Sequence, residues 1–287
     1  MKKLFLCAMM AMFAFTAVAQ ELNVGSFNIR NGSPLREGQA RPTKGDYKNY
    51  NGWDDRKQYV CDMINLEAFD VFGSQEVKHK QLVEMMAMLP DYDYVGVARD
   101  DGAQKGEYCP VFYRKKEFKL LDSGTFWLSE TPDQVSRGWD AALPRITTWV
   151  KLRDKATKRK FFYFNTHFDH KGTTARVESS KLIVEKIREI AGKKAAVVLT
   201  GDFNIESENE ALQPLFDNMS AARRCAPITD NKGTYNGWGL MKRYTVIDHI
   251  FYGGRKVKCN AFRTLDGDYG AKFISDHFPL EAIFTIR

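Results

Sequence analysis

Residues 195–204 read Ala-Ala-Val-Val-Leu-Thr-Gly-Asp-Phe-Asn, an apolar run that stops at a glycine and then presents a carboxylate and an amide, Asp202 and Asn204. The run is short, β-branched in the middle and closed by a turn residue, which predicts a buried strand over Ala195–Thr200. The same arrangement recurs along the chain. Leu22–Phe27 runs into Asn28, Phe69–Ser74 leads to Glu76, and Lys160–Thr166 runs into His167-Phe168-Asp169-His170. Thr245–Ile247 runs into Asp248-His249, and Phe273–Ser275 into Asp276-His277. Strands that finish together bring such groups to one rim, where layered folds bind their ligands. Four of the five histidines, His167, His170, His249 and His277, fall in these motifs. His79, between two lysines, reads as a surface residue.

Outward from these motifs the chain reads as one folded unit. Further strands are expected over Tyr92–Val97, Cys109–Tyr113, Phe118–Leu128, Arg145–Leu152, Thr245–Tyr252, Lys256–Arg263 and Leu280–Ile286, with a hairpin tip at Asp154–Thr157. Helical spacing appears at Tyr59, Val60, Met63 and Ile64, at Val83, Met86 and Ala87, and at Ile183, Val184, Ile187, Ile190 and Ala191. Thr173 or Thr174 can cap the last of these. The methionines at 85, 86 and 88 read as core filler. Many strands and few helices disfavour a doubly wound nucleotide fold and favour two packed sheets covered by helices. Neither common glycine-rich phosphate cradle is present.

The 287 residues carry 43 Lys+Arg against 36 Asp+Glu, a net +7 that suits an anionic partner without the charge density of a nucleic-acid coat. Lys2 and Lys3, the uncharged run Leu4–Phe15 and Ala17-Val18-Ala19 form a signal-peptide pattern over residues 1–19. The expectation is therefore an exported protein, periplasmic or secreted, with residues 20–287 as a single domain and no membrane span after cleavage. Export permits disulfides. The spacing of Cys61, Cys109, Cys225 and Cys259 fits buried free thiols equally well.

Ser-Phe-Asn28-Ile-Arg, Ser-Gln-Glu76-Val, Asn-Thr-His167-Phe-Asp-His170, Thr-Gly-Asp202-Phe-Asn204, Ile-Asp248-His-Ile and Ser-Asp276-His277-Phe-Pro resemble the endonuclease/exonuclease/phosphatase superfamily. That superfamily contains deoxyribonuclease-I-like nucleases, inositol polyphosphate 5-phosphatases and sphingomyelinases. The resemblance spans about Leu22 to Ile286. Gly124-Thr-Phe-Trp-Leu-Ser-Glu-Thr-Pro132 is also similar to a subgroup of exported bacterial members. The resemblance implies an α/β (α+β) four-layer sandwich, two mixed sheets face to face with helices outside.

It also implies a metal-dependent phosphoesterase, acting on a phosphodiester or phosphomonoester by in-line attack of activated water. Glu76 is then the main ligand of Mg²⁺ (or Mn²⁺), with Asn28 and Asp276 close by, a hard-oxygen set. Asp202 orients or deprotonates the water, and Asn204 holds that carboxylate or the phosphate. His277 donates to a phosphate oxygen, and Asp248 fixes its tautomer and favours its charged form. His167 and His170 contact phosphate or assist the leaving group. The substrate is an anionic phosphoester: nucleic acid, nucleotide, sugar phosphate or lipid headgroup. No stable protein partner is evident.

Arg30 stands where many abasic-site endonucleases carry an acidic metal ligand. It would repel Mg²⁺ and is expected to bind substrate phosphate instead. Arg114, Arg137, Arg145 and Arg176 are further anion-contact candidates. The insert Arg36–Trp53, with Arg41, Lys44, Tyr47, Tyr50 and Trp53, reads equally as a substrate wall or a surface loop. Two other readings compete. One is a zinc hydrolase of metallo-β-lactamase type, built on His167-Phe-Asp169-His170, which has Asn165 where that motif needs its first histidine. The other is an inert phosphate- or polyanion-binding module on the same fold, which the intact metal and base residues argue against.

Overall fold

Two parallel strand pairs organise the molecule. In the computed structural model, which describes residues 20–32 and 52–287, β1 (Gln20–Asn28) lies parallel to β2 (Val71–Gln75). In the second half, β9 (Lys160–His167) lies parallel to β10 (Val197–Asp202). Parallel neighbours need crossovers, and helices supply them. The first crossover contains α1 (Trp53–Glu67), and the second is formed by α3 (Thr173–Ala191). Every residue of β2 and β10 is buried, as expected of strands covered on both faces.

Antiparallel strands complete both sheets. Between β2 and β9 come β3 (Val77–Lys78), α2 (His79–Met88), β4 (Tyr92–Val95), β5 (Glu107–Tyr108), β6 (Val111–Arg114), β7 (Phe118–Trp127) and β8 (Ile146–Asp154). After β10 come α4 (Gln213–Phe216), β11 (Ser220–Ala221), α5 (Ala222–Cys225), β12 (Asp248–Gly253), β13 (Val257–Thr264) and β14 (Leu280–Ile286). The first sheet runs β13-β14-β1-β2-β6-β4 and the second β11-β12-β10-β9-β8-β7.

The two sheets meet across Val24, Val111, Val150, Tyr163, Val198, Ile250 and Phe284, all inaccessible or nearly so. Helices α1 and α2 close the outer face of the first sheet through Val60, Ile64, Leu82 and Met85. Helix α3 closes the second through Ile183, Val184 and Ile187. The result is the expected four-layer sandwich.

The sheets are also joined by buried polar groups near one end. Tyr163 Oη donates to the Gly25 carbonyl at 2.7 Å, and Asn165 Nδ2 donates to the carbonyls of Ser74 and Pro110 at 2.8 and 3.0 Å. Gly73 permits this approach: a Cβ there would lie 2.3 Å from Asn165 Cγ.

Several expectations are revised. The two-residue strands β3, β5 and β11 carry too little pattern to be seen. The strand expected from Thr245 begins at Asp248. Neither Thr173 nor Thr174 caps α3, because both lie inside its first turn. Gly172 occupies the cap, and the Asp140 carboxylate, from a distant loop, accepts the N–H groups of Thr174 and Ala175. His79 is half-buried, stacked on Tyr108. The four cysteines at 61, 109, 225 and 259 are free thiols. The signal-peptide pattern and most of the 36–53 insert lie outside the described residues. The insert's last residue, Trp53, is buried at the start of α1 and donates to Glu84, so it belongs to the core rather than to a substrate wall.

Candidate active site

The register of the parallel pairs explains why the motifs meet. Asn28 pairs with Gln75 at the end of β1 and β2, and Asp202 pairs with His167 at the end of β9 and β10. Antiparallel β12 starts at Asp248 opposite Asp202, and β14 starts just after Asp276-His277, with Leu280 opposite Ser26. All these groups therefore emerge at one rim. A cavity of about 430 Å³ opens there, lined by Arg30, Glu76, His167, Asp202, Asp276 and His277 among others.

Local backbone geometry throws the side chains inward. Asn28 Oδ1 accepts the Arg30 N–H at 3.0 Å, and Asp202 Oδ1 accepts the Asn204 N–H at 2.9 Å. Each is a side-chain turn of the kind Asn and Asp favour. Arg30 (φ 57°), Asn204 (φ 54°) and Glu76 (φ 62°) all take the left-handed conformation. That conformation strains a non-glycine residue by about 1 kcal/mol or more and concentrates at functional sites.

On the first sheet's side, Glu76 accepts from Asn28 Nδ2 at 3.2 Å and from the backbone and side-chain nitrogens of Asn31 at 3.0 and 2.8 Å. The Arg30 guanidinium lies 3.3 Å from Glu76 and 3.7 Å from Asp276, a cation between two carboxylates. Burial opposes the charge on Glu76, but Arg30 and the Asn31 N–H outweigh it and hold the acid below its ordinary range. Asp276 is raised by burial. Asn28 lies beneath the cavity floor, fully buried, and its nitrogen also reaches Asp202 at 2.9 Å. Its oxygen accepts the Arg30 N–H, and its nitrogen orders both carboxylates.

On the second sheet's side, His277 Nδ1 lies 2.9 Å from Asp248 Oδ2, and its Nε2 faces Asp202 at 3.8 Å. Thr234 Oγ1 donates to the same Asp248 oxygen at 2.6 Å. Burial disfavours a charged His277, yet Asp248 and Asp202 prevail and push it up to about 10. Asp202 is pushed up to about 7 by burial and then by Asp248. Asp202, Asp248 and His277 lie close enough to hold a metal ion. The imidazole faces Asp248 with Nδ1 and Asp202 with Nε2. Asp248 is hydrogen-bonded to His277, whereas Asp202 stands at charge-contact distance from Nε2.

Asn204 Nδ2 donates to the Phe168 carbonyl and lies 3.1 Å from His167 Nε2. His167 is held well below its ordinary value by burial, Arg145 and Arg99, and is neutral. His170, at the cavity edge, is likewise lowered by burial and by Arg145. His249 does not join them. Side chains alternate along β12, so His249 points away from Asp248, packs on Phe203 and lies 3.1 Å from the Ile205 carbonyl. Burial pulls it down to about 4.

Of the arginine candidates, Arg30 and Arg145 reach the cavity. Arg114 binds the Phe69 carbonyl, Arg176 binds the Asp169 carbonyl, and Arg137 is absent from the lining. The sequence reading missed Asn31, Arg99, Thr234 and Tyr235. Tyr235 packs on the His277 ring at 5.0 Å. Asn31 and Arg99 sit in irregular segments with no periodic signal. Thr234 and Tyr235 are brought in only by bridges to residues far along the chain.

Two mixed sheets face to face, with carboxylates, amides and imidazoles gathered at one rim, define the deoxyribonuclease-I-like class of α/β sandwich. The chain belongs to the Endonuclease/Exonuclease/phosphatase family, whose sequence pattern matches residues 25–277. It is similar to a crystal structure of a family member from Bacteroides vulgatus, 37% identical with a TM-score of 0.84, covering 93% of this chain and 100% of that one. It is also similar to a mannosyl-6-phosphatase from Bacteroides thetaiotaomicron, 36% identical with a TM-score of 0.82, over 92% and 99% of the two chains. An uncharacterized protein of Acanthamoeba polyphaga mimivirus is 26% identical over 249 residues, 81% of this chain and 92% of the viral one.

Proposed function

We propose that this protein is a divalent-metal-dependent phosphoesterase, and that sugar phosphates are its substrate class. One observation carries the reading. A buried Asp248–His277 pair faces Asp202 on one side of the cavity, while a second pair of carboxylates, Glu76 and Asp276, faces it from the other. The mannosyl-6-phosphatase relative favours sugar phosphates among phosphoesters.

A metal fits the donors present. Glu76 and Asp276 are 8% and 5% exposed and share one half-exposed guanidinium, so the site is built around a positive charge. Two carboxylates and no sulfur or neutral imidazole between them suit a hard ion such as Mg²⁺ or Mn²⁺. Glu76 and Asp276 would hold it, with Asn28 ordering Glu76 from below and Arg30 turning aside. When bound, such an ion supplies Lewis-acid stabilisation of charge developing on the phosphoryl oxygens.

The chain's own groups account for the rest. Asp202, poised near neutral, takes a proton from the attacking water, and the Asn28 and Asn204 N–H groups fix its orientation. His277 keeps its proton through the neutral range and donates it in a hydrogen bond to a phosphoryl oxygen, while Asp248 positions the ring. Asn204 and neutral His167 supply further polar contacts, and Arg30 neutralises phosphate once released from Glu76. As the water oxygen bonds to phosphorus the ester P–O bond breaks, the sugar oxygen leaves as an alcohol after taking a proton from solvent, and no covalent intermediate is required.

The zinc-hydrolase reading has no support here. Asn165 is committed to joining the sheets, and Asp169 accepts from Arg145 and from the N–H groups of Lys171 and Gly172. Export through residues 1–19 remains part of the proposal on the sequence pattern. The test is a panel of sugar phosphates, nucleotides, nucleic acids and phospholipids with Mg²⁺ or Mn²⁺. Sugar phosphate turnover lost in Glu76→Ala and Asp202→Ala is expected. Binding without turnover of any class would favour an inert module.

A further inference from the structure

The cavity has a wall that this mechanism does not use. Arg99, Arg145 and His170 line it, and both arginines are more than nine-tenths buried. Each guanidinium is fixed by a buried carboxylate: Arg99 pairs with Glu107, and Arg145 Nε lies 3.3 Å from Asp169 Oδ2. Their backbones are held by consecutive residues at the end of β7. Trp127 Nε1 donates to the Arg99 carbonyl at 2.8 Å, and the Leu128 N–H donates to the Arg145 carbonyl at 2.7 Å. The segment from Gly124 to Pro132 thus buttresses both arginines.

The wall offers donors. Arg145 Nη2 lies 3.0 Å from His170 Nδ1, and a guanidinium can only donate. His170 therefore accepts at Nδ1 and carries its proton on Nε2. Arg145 Nη1 is buried and has no hydrogen-bond partner among the described residues. A buried donor without an acceptor is costly, and a purely structural Arg145–Asp169 pair leaves it unexplained.

We propose that Arg145, with Arg99 and His170, binds the additional terminal oxygen that distinguishes a phosphomonoester from a phosphodiester. The inference deepens the phosphoesterase reading and rests on it. Three groups of residues surround the cavity: the Glu76–Asp276 pair, His277, and the arginine wall. A monoester brings three terminal oxygens: one for the cation that Glu76 and Asp276 would hold, one for His277 and one for the arginine wall. A diester brings two and would set its second ester group against buried guanidinium donors that it cannot satisfy. Arg145 is thus a specificity-determining residue, preorganised by Asp169 and by the end of β7.

The test compares p-nitrophenyl phosphate with bis(p-nitrophenyl) phosphate, in parallel with calorimetric binding of inorganic phosphate. Losing a charge-assisted hydrogen bond predicts that Arg145→Gln lowers kcat/KM for the monoester roughly 10- to 100-fold and changes the diester by less than about threefold. Phosphate affinity should fall with the monoester rate. Arg145→Lys should recover part of both. His170→Ala leaves the Arg145–Asp169 pair intact and should shift the ratio the same way by less, so it reads the wall even if Arg145→Gln fails to fold. Equal loss of both esters, or phosphate affinity indifferent to Arg145 and His170, overturns the proposal. If the wild type turns over neither ester but binds phosphate through Arg145, the wall stands and the phosphoesterase reading falls.

Discussion

Asn28-Ile29-Arg30 and Asp202-Phe203-Asn204 leave their strands by the same turn. In each, the first side chain accepts the N–H two residues on, the middle residue is fully buried, and the third is left-handed. The chemistry differs. The first exit presents an amide and a guanidinium to Glu76 and Asp276, and the second presents a carboxylate to His277. One backbone device, used once in each sheet, makes the two sides of a single cavity, which under the proposed function hold the cation and handle the proton respectively. The amide of Asn28 touches both Glu76 and Asp202 and so joins the two.

Separating the sides is the way to break this comparison. The largest effect is expected from Asp202→Asn, which removes the base and should lower turnover about 10³-fold, measured as kcat on the best sugar phosphate. Asp248→Asn should cost less, roughly 10²-fold. It should also move the pH profile. Wild-type rate should rise as Asp202 deprotonates near pH 7 and fall as His277 deprotonates near 10. The Asp248 charge raises both groups, so removing it shifts both limbs to lower pH. A profile unmoved by Asp248→Asn would contradict the row.

The smallest effect concerns stability, at the Asp-His pair that does not serve the cavity. His249 sits near 4 when folded, against about 6.5 for an unperturbed histidine. Between those values the unfolded chain binds a proton that the folded one refuses. Stability is therefore full above about pH 6.5 and falls towards pH 4, by at most on the order of 3 kcal/mol. Urea unfolding across this range should show that slope, and His249→Leu should flatten it. An unchanged slope would mean that His249 is not the group responsible.

The strand-end pattern made the rim legible: Asn28, Glu76, His167 and Asp202 meet because parallel register aligns the ends of their strands, and the antiparallel strands β12 and β14 bring Asp248, Asp276 and His277 to the same rim. His249 could have been excluded at the same stage, since two adjacent residues entering a strand face opposite ways. Arg99 and Asn31 could not have been found. Each is placed by an irregular segment and by partners distant in sequence, Trp127 for one and Glu76 for the other. The capping of α3 by Asp140 was hidden for the same reason. The strain at Arg30, Glu76 and Asn204 has no sequence signature, because those backbone angles favour glycine and the site needs side chains there.

The most direct test of the division between the two sides is calorimetric titration of Mn²⁺ into wild type, Glu76→Gln and Asp202→Asn. The account predicts that Glu76→Gln weakens Mn²⁺ binding at least about tenfold, whereas Asp202→Asn binds Mn²⁺ within about threefold of wild type while losing turnover. Loss of Mn²⁺ binding in Asp202→Asn as severe as in Glu76→Gln would contradict it, and would place the cation on the Asp202–Asp248–His277 row instead.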